Sequence, residues 1–174
     1  MSSPSFEAVF AAECGYVVHS LRRLGVRERD LEDIAQDVFI GVHRAFGAYD
    51  PARPIRPWLF AFAFRAASNY RRSARVRRES VFESGQPDTA VEATQEERLA
   101  LEERRRALHD ALDTLDLKHR AALILVDLDG VSPKDAAASL EIPLDTVYSR
   151  VRNARLKLKE ALAAARERNG ARHA

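Results

Sequence analysis

The sequence predicts an all-α protein of two small helical domains joined by a flexible linker. Apolar residues recur at spacings of three and four along most of the chain, which is the period of one helix face. Residues 79–97 break that period with acids, Gly, Pro, Ser and Thr. With 174 residues, 46% of them hydrophobic, the chain can bury the cores that such domains require.

Two amphipathic helices are predicted near the N-terminus, at about residues 5–24 and 30–46, with Gly25 as the residue that ends the first. Cys14 lies on the first apolar stripe and is interpreted as a small buried residue rather than a reactive thiol. The stripes consist of Phe6, Phe10, Cys14, Val17, Leu21 and Leu24, and of Leu31, Ile34, Ala35, Val38, Val42 and Phe46.

A third helix is predicted after a proline-rich turn. Residues 47–57 hold three prolines and one glycine, which argues against a regular helix there. Trp58, Phe60, Phe62 and Phe64 then alternate, as they would in a strand. The alternation soon stops and the intervening alanines favour a helix, so the helical interpretation is preferred. Each of these aromatic residues is expected to belong to the core rather than to a stacking surface for bases.

The near-neutral net charge of +2 hides two oppositely charged segments. Residues 65–78 contain six arginines and no acid, whereas residues 79–97 contain six acids and no base. The basic segment suits a polyanion such as nucleic acid, or it is simply the solvated end of a helix. The acidic segment repels itself and is predicted to be the flexible linker.

The C-terminal part is predicted to contain a helix-turn-helix. Ser132, Pro133 and Asp135 form a helix start, because a hydroxyl caps free amides, proline fits the first turn and an acid favours the positive helix end. The short helix ends near Leu140, and a longer basic helix begins near Leu144. Two further helices precede this motif, with apolar residues Leu101, Leu108, Leu112 and Leu115, then Leu117, Ala121, Ile124, Leu125 and Leu128.

The basic helix has a predicted inner and outer face, assigned from the helical step of about 100° per residue. The inner face consists of Val147, Val151, Ala154 and Leu158. Outward-facing Ser149, Arg152 and Asn153 can hydrogen-bond to base edges, with Thr146, Arg150, Arg155 and Lys157 beside them within reach of phosphates. Leu156 also faces outward, where a thymine methyl group or a protein would have to meet it.

Three stretches, at residues 30–46, 57–72 and 116–162, resemble in order the signatures of domains 2 and 4 of the extracytoplasmic-function (ECF) sigma factors of RNA polymerase. Two domains matched in the right order are more specific than one. The matching positions are Asp33, Gln36, Asp37 and Phe39; Trp58, Leu59, Tyr70 and Arg72; and Arg120, 127–130, Thr146, Val147, Ser149 and Arg150.

The resemblance implies a transcription factor that binds core RNA polymerase and promoter DNA, needs no cofactor and is usually held inactive by an anti-sigma factor. Sigma domain 2 would occupy residues 1–78 and sigma domain 4, with the helix-turn-helix, residues 98–165. The linker would cover residues 79–97, and a basic tail, expected to fray, would cover residues 166–174.

The resemblance also implies three sets of site residues. Asp33, Gln36 and Asp37 would dock on the polymerase, although an ordinary solvated helix face would look the same. The -10 element would be opened and held by Phe46, Tyr49, Asp50, Arg65, Asn69, Arg71, Arg72 and Arg75, since unstacked bases need aromatic surfaces and phosphates need arginines. The -35 element would be read by Thr146, Tyr148, Ser149, Arg150, Arg152, Asn153, Arg155 and Lys157.

Some residues depart from the family pattern. Arg65 stands where the family often has asparagine, Tyr148 where it usually has lysine or arginine, and Asn153 where a basic residue is common. The promoter sequence therefore cannot be transferred from the family, although an asparagine at position 153 could read adenine.

Two other classes of function were weighed against the sigma factor. A self-sufficient regulator would pair the helix-turn-helix with a sensor or dimerisation domain, but the arginines and aromatic residues of the first domain argue against a small-molecule sensor. An enzyme is disfavoured because the five histidines are scattered, without metal-ligand spacing, a Gly-rich phosphate loop or a nucleophile-base pattern.

The single cysteine excludes an internal disulfide and fits a reducing cytoplasm. No secretion signal or membrane span is expected.

Overall fold

The computed structural model describes residues 5–77 and 106–170, and the side chains of residues 5–73 and 106–164. Within these ranges the chain is helical and no β-strand occurs, so the all-α prediction is confirmed. The predicted linker at residues 79–97 lies outside the described residues. The N-terminal unit comprises α1 (Phe6–Arg23), α2 (Leu31–Ala45) and α3 (Ile55–Arg77). The C-terminal unit comprises α4, described over residues 106–113, α5 (Leu117–Leu123), α6 (Pro133–Leu140) and α7 (Leu144–Gly170).

Helix α1 begins and ends where the sequence predicts. The hydroxyl of Ser5 accepts a hydrogen bond from the N–H of Ala8 at 3.2 Å, which caps the first turn. Gly25 follows the helix with φ of +90°, a conformation that favours glycine. The Val26 N–H then donates to the Leu21 carbonyl at 3.1 Å, so the chain reverses tightly toward α2.

Helix α3 begins earlier than the sequence suggests, at Ile55 rather than after Pro57. The proline is tolerated because it lies in the first turn, where a backbone N–H has no carbonyl partner within the helix. The helical interpretation of the alternating aromatic segment is confirmed, since Leu59, Phe60 and Ala63 are all fully buried at spacings of one, three and four.

The helix-turn-helix is confirmed as α6 and α7. The Ser132 hydroxyl accepts from the Asp135 N–H at 3.1 Å, with Pro133 in the first turn. The turn between the helices depends on Glu141, whose φ of +55° is left-handed. The expectation of a frayed tail is wrong for residues 166–170, because α7 continues to Gly170. The alanines at 161 and 163–165 are strong helix formers and extend the helix.

The two units share one apolar core rather than keeping separate ones. Residues of α1, α2 and α3 pack in a single cluster with Ala121, Ile124 and Leu125 and with Ala136, Leu140 and Val147 of the helix-turn-helix. A smaller cluster lies within the C-terminal unit and consists of Leu112, Leu115, Leu123 and Ala154, with Leu108 and Leu158 against it. The units are therefore packed on each other, through what we call the inter-unit interface.

Asp129 is the polar centre of the inter-unit interface. Its carboxylate accepts a hydrogen bond from the Tyr16 hydroxyl at 2.8 Å and forms an ion pair with Arg23 at 3.0 Å. Desolvation and this carboxylate raise the pKa of Tyr16 well above its usual value. Nearby, the Arg120 guanidinium is completely buried and donates to the Arg23 carbonyl.

Acidification is expected to destabilise this packed arrangement through two histidines. Burial, followed by neighbouring arginines, lowers the pKa of both His19 and His109 below 6.5. Because the pKa of each histidine is lower in the folded state, the unfolded state takes up protons at a higher pH. The contribution of these histidines to the free energy of unfolding is therefore complete above about pH 6.5 and is lost as the pH falls through the folded-state pKa. The charged neighbours are Arg22, Arg23, Arg120, Asp110, Asp113 and Asp129.

Thermal unfolding should therefore show a lower Tm at pH 5.5 than at pH 7.5, and a His19→Gln/His109→Gln variant should lose most of that difference. Three carboxylates, Glu7, Glu28 and Asp116, have a pKa lowered from 4.5, 4.5 and 3.8, so their contribution to stability changes only at lower pH than this window. An unchanged pH dependence in the double variant would contradict this assignment.

Candidate polymerase and nucleic-acid interfaces

Helix α2 presents a polar face that carries the predicted docking residues. Its opposite side is buried at Leu31, Ala35, Val38, Phe39 and Val42. Because of the helical period, positions 33, 36 and 37 must then point outward. The structure accordingly exposes Asp33, Gln36 and Asp37 together on one surface.

Beside that face an open groove of about 980 Å³ separates α1 from α2. Phe10 and Ile40 are each 43% exposed along it, and the Phe10 ring meets the edge of Phe39 with centroids 4.7 Å apart. The sequence placed Phe10 and Cys14 on a buried stripe, yet Phe10 is exposed and Cys14 is only half-buried. The spacing correctly predicted an apolar stripe on α1, but the core covers only part of that stripe and leaves Phe10 exposed.

An aromatic cluster lies where the turn before α3 meets that helix. Trp58 contacts Tyr49 at 4.8 Å and Phe62 at 5.0 Å between ring centroids. Phe46 lies 6.2 Å from Tyr49 in a stacked arrangement. All four rings are half-buried, whereas Phe60 is fully buried. The expectation that each alternating aromatic residue belongs to the core is fully met by Phe60, while Trp58, Phe62 and Phe64 pack against the core and also reach the surface.

The turn that supports this cluster is ordered by local hydrogen bonds. The Tyr49 hydroxyl donates to the Arg53 carbonyl at 2.6 Å. Asp50 is exposed, and its carboxylate accepts from the Ala52 N–H at 3.0 Å. These hydrogen bonds order the turn that carries Phe46, Tyr49 and Asp50, and the role of these residues in a -10 site stays a prediction.

A single stripe of α3 continues from the aromatic cluster into basic and amide side chains. Trp58, Phe62, Arg65, Asn69 and Arg72 follow one another at spacings of four, three, four and three, so they share one face. The Arg65 guanidinium lies 4.7 Å from the centre of the Phe62 ring. Asn69 accepts a hydrogen bond from Arg72 at 2.6 Å. The sequence named these polar residues, but it did not group them with the rings.

Arg71 lies away from this stripe. It is half-buried, and a Cβ added to Gly25 would lie 3.5 Å from its guanidinium and 3.2 Å from that of Arg120. Its charge helps to lower the pKa of Arg120, after burial. Arg75 belongs to α3, but its side chain lies outside the described residues.

Helix α7 has the inner and outer faces that the sequence assigned. Val147, Val151 and Ala154 are buried, and Leu158 packs on the smaller core cluster. Leu156 is 55% exposed, as expected. Among the predicted DNA-binding residues, Thr146 and Arg150 are half-buried, and the exposed ones are Tyr148, Ser149, Arg152, Asn153, Arg155 and Lys157.

Arg155 has a partner that the sequence did not suggest. Its guanidinium binds both carboxylate oxygens of Asp127, at 2.8 and 2.7 Å, and this pairing raises its pKa. The two residues are 28 positions apart, so no helical spacing could have connected them. The pair joins α7 to Ile124–Leu128, a π-helical turn that follows α5.

Family comparisons agree with both halves of the structure. The family model for sigma-70 region 2 matches residues 10–77, and that for sigma-70 region 4 matches residues 105–158. The chain is 32% identical to RNA polymerase sigma factor NccH of Alcaligenes xylosoxydans xylosoxydans over 84% of its own length and 80% of that protein. It is also 32% identical to the ECF RNA polymerase sigma-E factor of Escherichia coli K12, over 79% and 76% of the two chains. The chain belongs to the ECF sigma factors.

As an ECF sigma factor the protein binds core RNA polymerase and directs it to promoters. Sigma factors are non-catalytic transcription initiation factors. The region 2 match coincides with α1 to α3, and the region 4 match begins just before the described part of α4 and ends within α7. The predicted family and fold are therefore confirmed.

A solved structure extends the likeness to the arrangement of the chain. The sigma factor RpoE of Bartonella quintana, in complex with the anti-sigma factor NepR, matches with a TM-score of 0.69 and 25% identity. The match covers 91% of this ECF sigma factor and 96% of the solved chain.

Two further observations bound the chemistry of the part of the chain that the structure describes. No helix there combines the length and the apolar character needed to cross a bilayer. The same residues contain no group of three or more His, Cys, Asp or Glu side chains placed to hold a metal ion.

Proposed function

We propose that residues 1–78 dock on the polymerase and open and hold the -10 element, while residues 98–165 read the -35 element as duplex. Residues 79–97 would link the two, and residues 166–174 would follow as a basic tail. The observation that carries this proposal is that each half presents a distinct exposed surface suited to nucleic acid, on α3 and on α7. The chain would act in the cytoplasm without catalytic residues or a cofactor.

The exposed face of α2 is the proposed docking surface for core polymerase. Asp33, Gln36 and Asp37 offer two carboxylates and an amide, and none of them makes a hydrogen bond or ion pair with another described residue. Side chains that are already unpaired need not break internal contacts to meet a basic partner. The face is therefore prepared to bind without rearrangement.

The stripe on α3 and the aromatic cluster are the proposed -10 surface. Melted bases need flat apolar faces, and the half-buried rings of Trp58 and Phe62 can each offer one edge or face while the rest of the ring is packed. Arg65, Asn69 and Arg72 continue the same line and would follow the phosphates. Phe46, Tyr49, Asp50, Arg71 and Arg75 complete the proposed set.

The outer face of α7 is the proposed -35 surface. Arg152 and Asn153 are exposed. The guanidinium of Arg152 suits a bidentate contact with guanine, and the side-chain amide of Asn153 suits one with adenine. Tyr148 is 57% exposed beside them and adds a ring where the family usually has a cation. Thr146, Ser149, Arg150, Arg155 and Lys157 would hold the helix on the backbone.

Regulation by an anti-sigma factor is also proposed. The Bartonella quintana RpoE to which the chain is similar was solved with the anti-sigma factor NepR. The shared arrangement of helices over 91% of the chain supports a protein partner of the same kind. In vitro transcription with core polymerase and a genomic promoter library tests the proposed function as a whole. Sequence-specific DNA binding without any polymerase-dependent transcript would favour the self-sufficient regulator instead.

Replacing Gln36 with alanine and Asp37 with lysine should weaken binding to core polymerase by about tenfold or more, because it removes an amide and reverses a charge on the docking face. Helix content should stay the same. Pull-down with core enzyme measures the effect, with Asp110→Lys, an exposed charge reversal on α4, as the control. Undiminished binding by the α2 variant would sink the docking assignment.

Arg72→Ala should reduce promoter opening several-fold while polymerase docking persists, because the arginine supplies salt-dependent phosphate contact. Arg71→Ala removes the same charge from a member of the -10 set that is half-buried and lies off the stripe, so it should reduce promoter opening less than Arg72→Ala does. Permanganate footprinting of the open complex reports the difference. Equal losses in the two variants would show that the α3 stripe does not define the -10 surface.

Arg152→Ala and Asn153→Ala should each change the preference for one base of the -35 element, with about 1–3 kcal/mol lost at that base. Lys157→Ala should instead weaken binding evenly across sequences and reduce its salt dependence. A panel of -35 variants in transcription assays distinguishes these patterns. A uniform loss in all three variants would mean that the α7 face has been assigned wrongly.

A further inference from the structure

We propose that Tyr148 reads thymine in the -35 element, by packing its ring against the 5-methyl group that thymine displays in the major groove. This inference rests on the proposed function, because it takes the outer face of α7 as the -35 surface. It deepens that function by naming the chemical group that one exposed ring recognises. The hydrogen-bonding side chains of Arg152 and Asn153 do not recognise such a group.

Tyr148 belongs to an exposed apolar patch at the start of α7. It is 57% exposed, and Leu144, one turn earlier, is 40% exposed. Residues four positions apart on a helix are neighbours, so the two side chains are adjacent parts of one apolar surface. Such a surface is unfavourable in water, and an apolar group of a partner gains free energy when it is buried there.

The fold does not use the side chain of Tyr148. The chain has four tyrosines, and the hydroxyls of the other three, Tyr16, Tyr49 and Tyr70, each donate a hydrogen bond within the chain. The side chain of Tyr148 makes no hydrogen bond, ring contact or cation contact with another residue that the structure describes. Its ring can therefore meet a partner without breaking an internal contact.

Tyr148 lies beside a residue proposed to read bases. Val147 and Val151 are buried, and the helical step of about 100° per residue sets Tyr148 about 40° from Arg152. The N-terminal part of a recognition helix is the part that contacts base edges. Leu156 is also exposed, but it lies about 12 Å further along the helix axis than Tyr148. Tyr148 is therefore the apolar side chain best placed for the groove.

The charges around Tyr148 favour a base edge over a phosphate as the partner of the ring. Asp145, three residues earlier, is a neighbour on the helix surface and is exposed, so its carboxylate would repel a phosphate. Arg152, one turn later, is also exposed and attracts the duplex to this face. In the major groove only thymine offers an apolar group, the 5-methyl group. An apolar ring in this position therefore selects thymine.

Replacing thymine with deoxyuridine tests the proposal, because uracil lacks the 5-methyl group and keeps the same hydrogen-bonding groups. Holoenzyme assembled from the full chain and core polymerase is mixed with a promoter duplex selected from the genomic library. Each thymine of the -35 element, on either strand, is replaced in turn. Equilibrium binding is measured for the unaltered protein, Tyr148→Ala and Tyr148→Phe, and circular dichroism checks that the helix content is unchanged.

At one thymine, or at two neighbouring ones, the unaltered protein should bind the uracil duplex about fourfold more weakly, which is the loss expected for one buried methyl group. Tyr148→Ala should bind the thymine and uracil duplexes equally at that position. Tyr148→Phe should keep the fourfold difference, because the ring rather than the hydroxyl makes the contact. Lys157→Ala is the matched control, since it should weaken both duplexes equally and leave their ratio unchanged.

The proposal would be overturned by a -35 element without an A·T pair, by equal binding of all uracil duplexes to the unaltered protein, or by loss of the difference in Tyr148→Phe. Weaker binding of core polymerase by Tyr148→Ala, with the methyl effect intact, would assign the ring to a protein contact instead. Failure of the proposed function itself would look different. Arg152→Ala and Asn153→Ala would then change no base preference, and the holoenzyme would show no preference within the -35 element.

Discussion

Arg120 is a full positive charge held where no water reaches it, at the point where α1, α4 and α5 meet. A buried guanidinium needs acceptors, and here the Arg23 carbonyl and Asp113 accept from Nε and Nη1, while Nη2 has no hydrogen-bond partner. Gly25 completes the site, because any Cβ there would approach the guanidinium to 3.2 Å. The end of α1, the tight turn that follows it and the orientation of the C-terminal unit all depend on this contact.

The same packing decides which helix faces are left for partners. Amphipathic helices bury one side each, and the residues that remain outside include those proposed to meet polymerase or DNA. On α2 the outer face is acidic and amide-bearing, on α3 it passes from rings to arginines, and on α7 it carries arginine, asparagine and tyrosine. A single principle therefore accounts for three different surfaces, and the turn before α3 adds the aromatic cluster to one of them.

Much of the site could be predicted, and particular residues show why the rest could not. Val147, Val151 and Ala154 are buried as their spacing requires, so the outward position of Arg152 and Asn153 followed from helical geometry. Asp127 was missed as the partner of Arg155, and Arg71 could not be separated from Arg72, because those distinctions depend on residues far away in the chain. Phe10 was predicted to be buried for the same reason. The spacing of apolar residues shows which face of a helix points inward, but not how much of that face the other helices cover.

The sequence by itself determined the helices, their caps, the helix-turn-helix and the membership of the ECF sigma factors. Each of these depends on residues within a few positions of one another, where period, capping and turn chemistry act directly. Only the tertiary structure decided that both units share one core, that Asp129 and Arg120 join them, and that α6 lies on α3. The physical reason is that such contacts link residues about a hundred positions apart, such as Tyr16 and Asp129, which are 113 positions apart and leave no periodic signal in the chain.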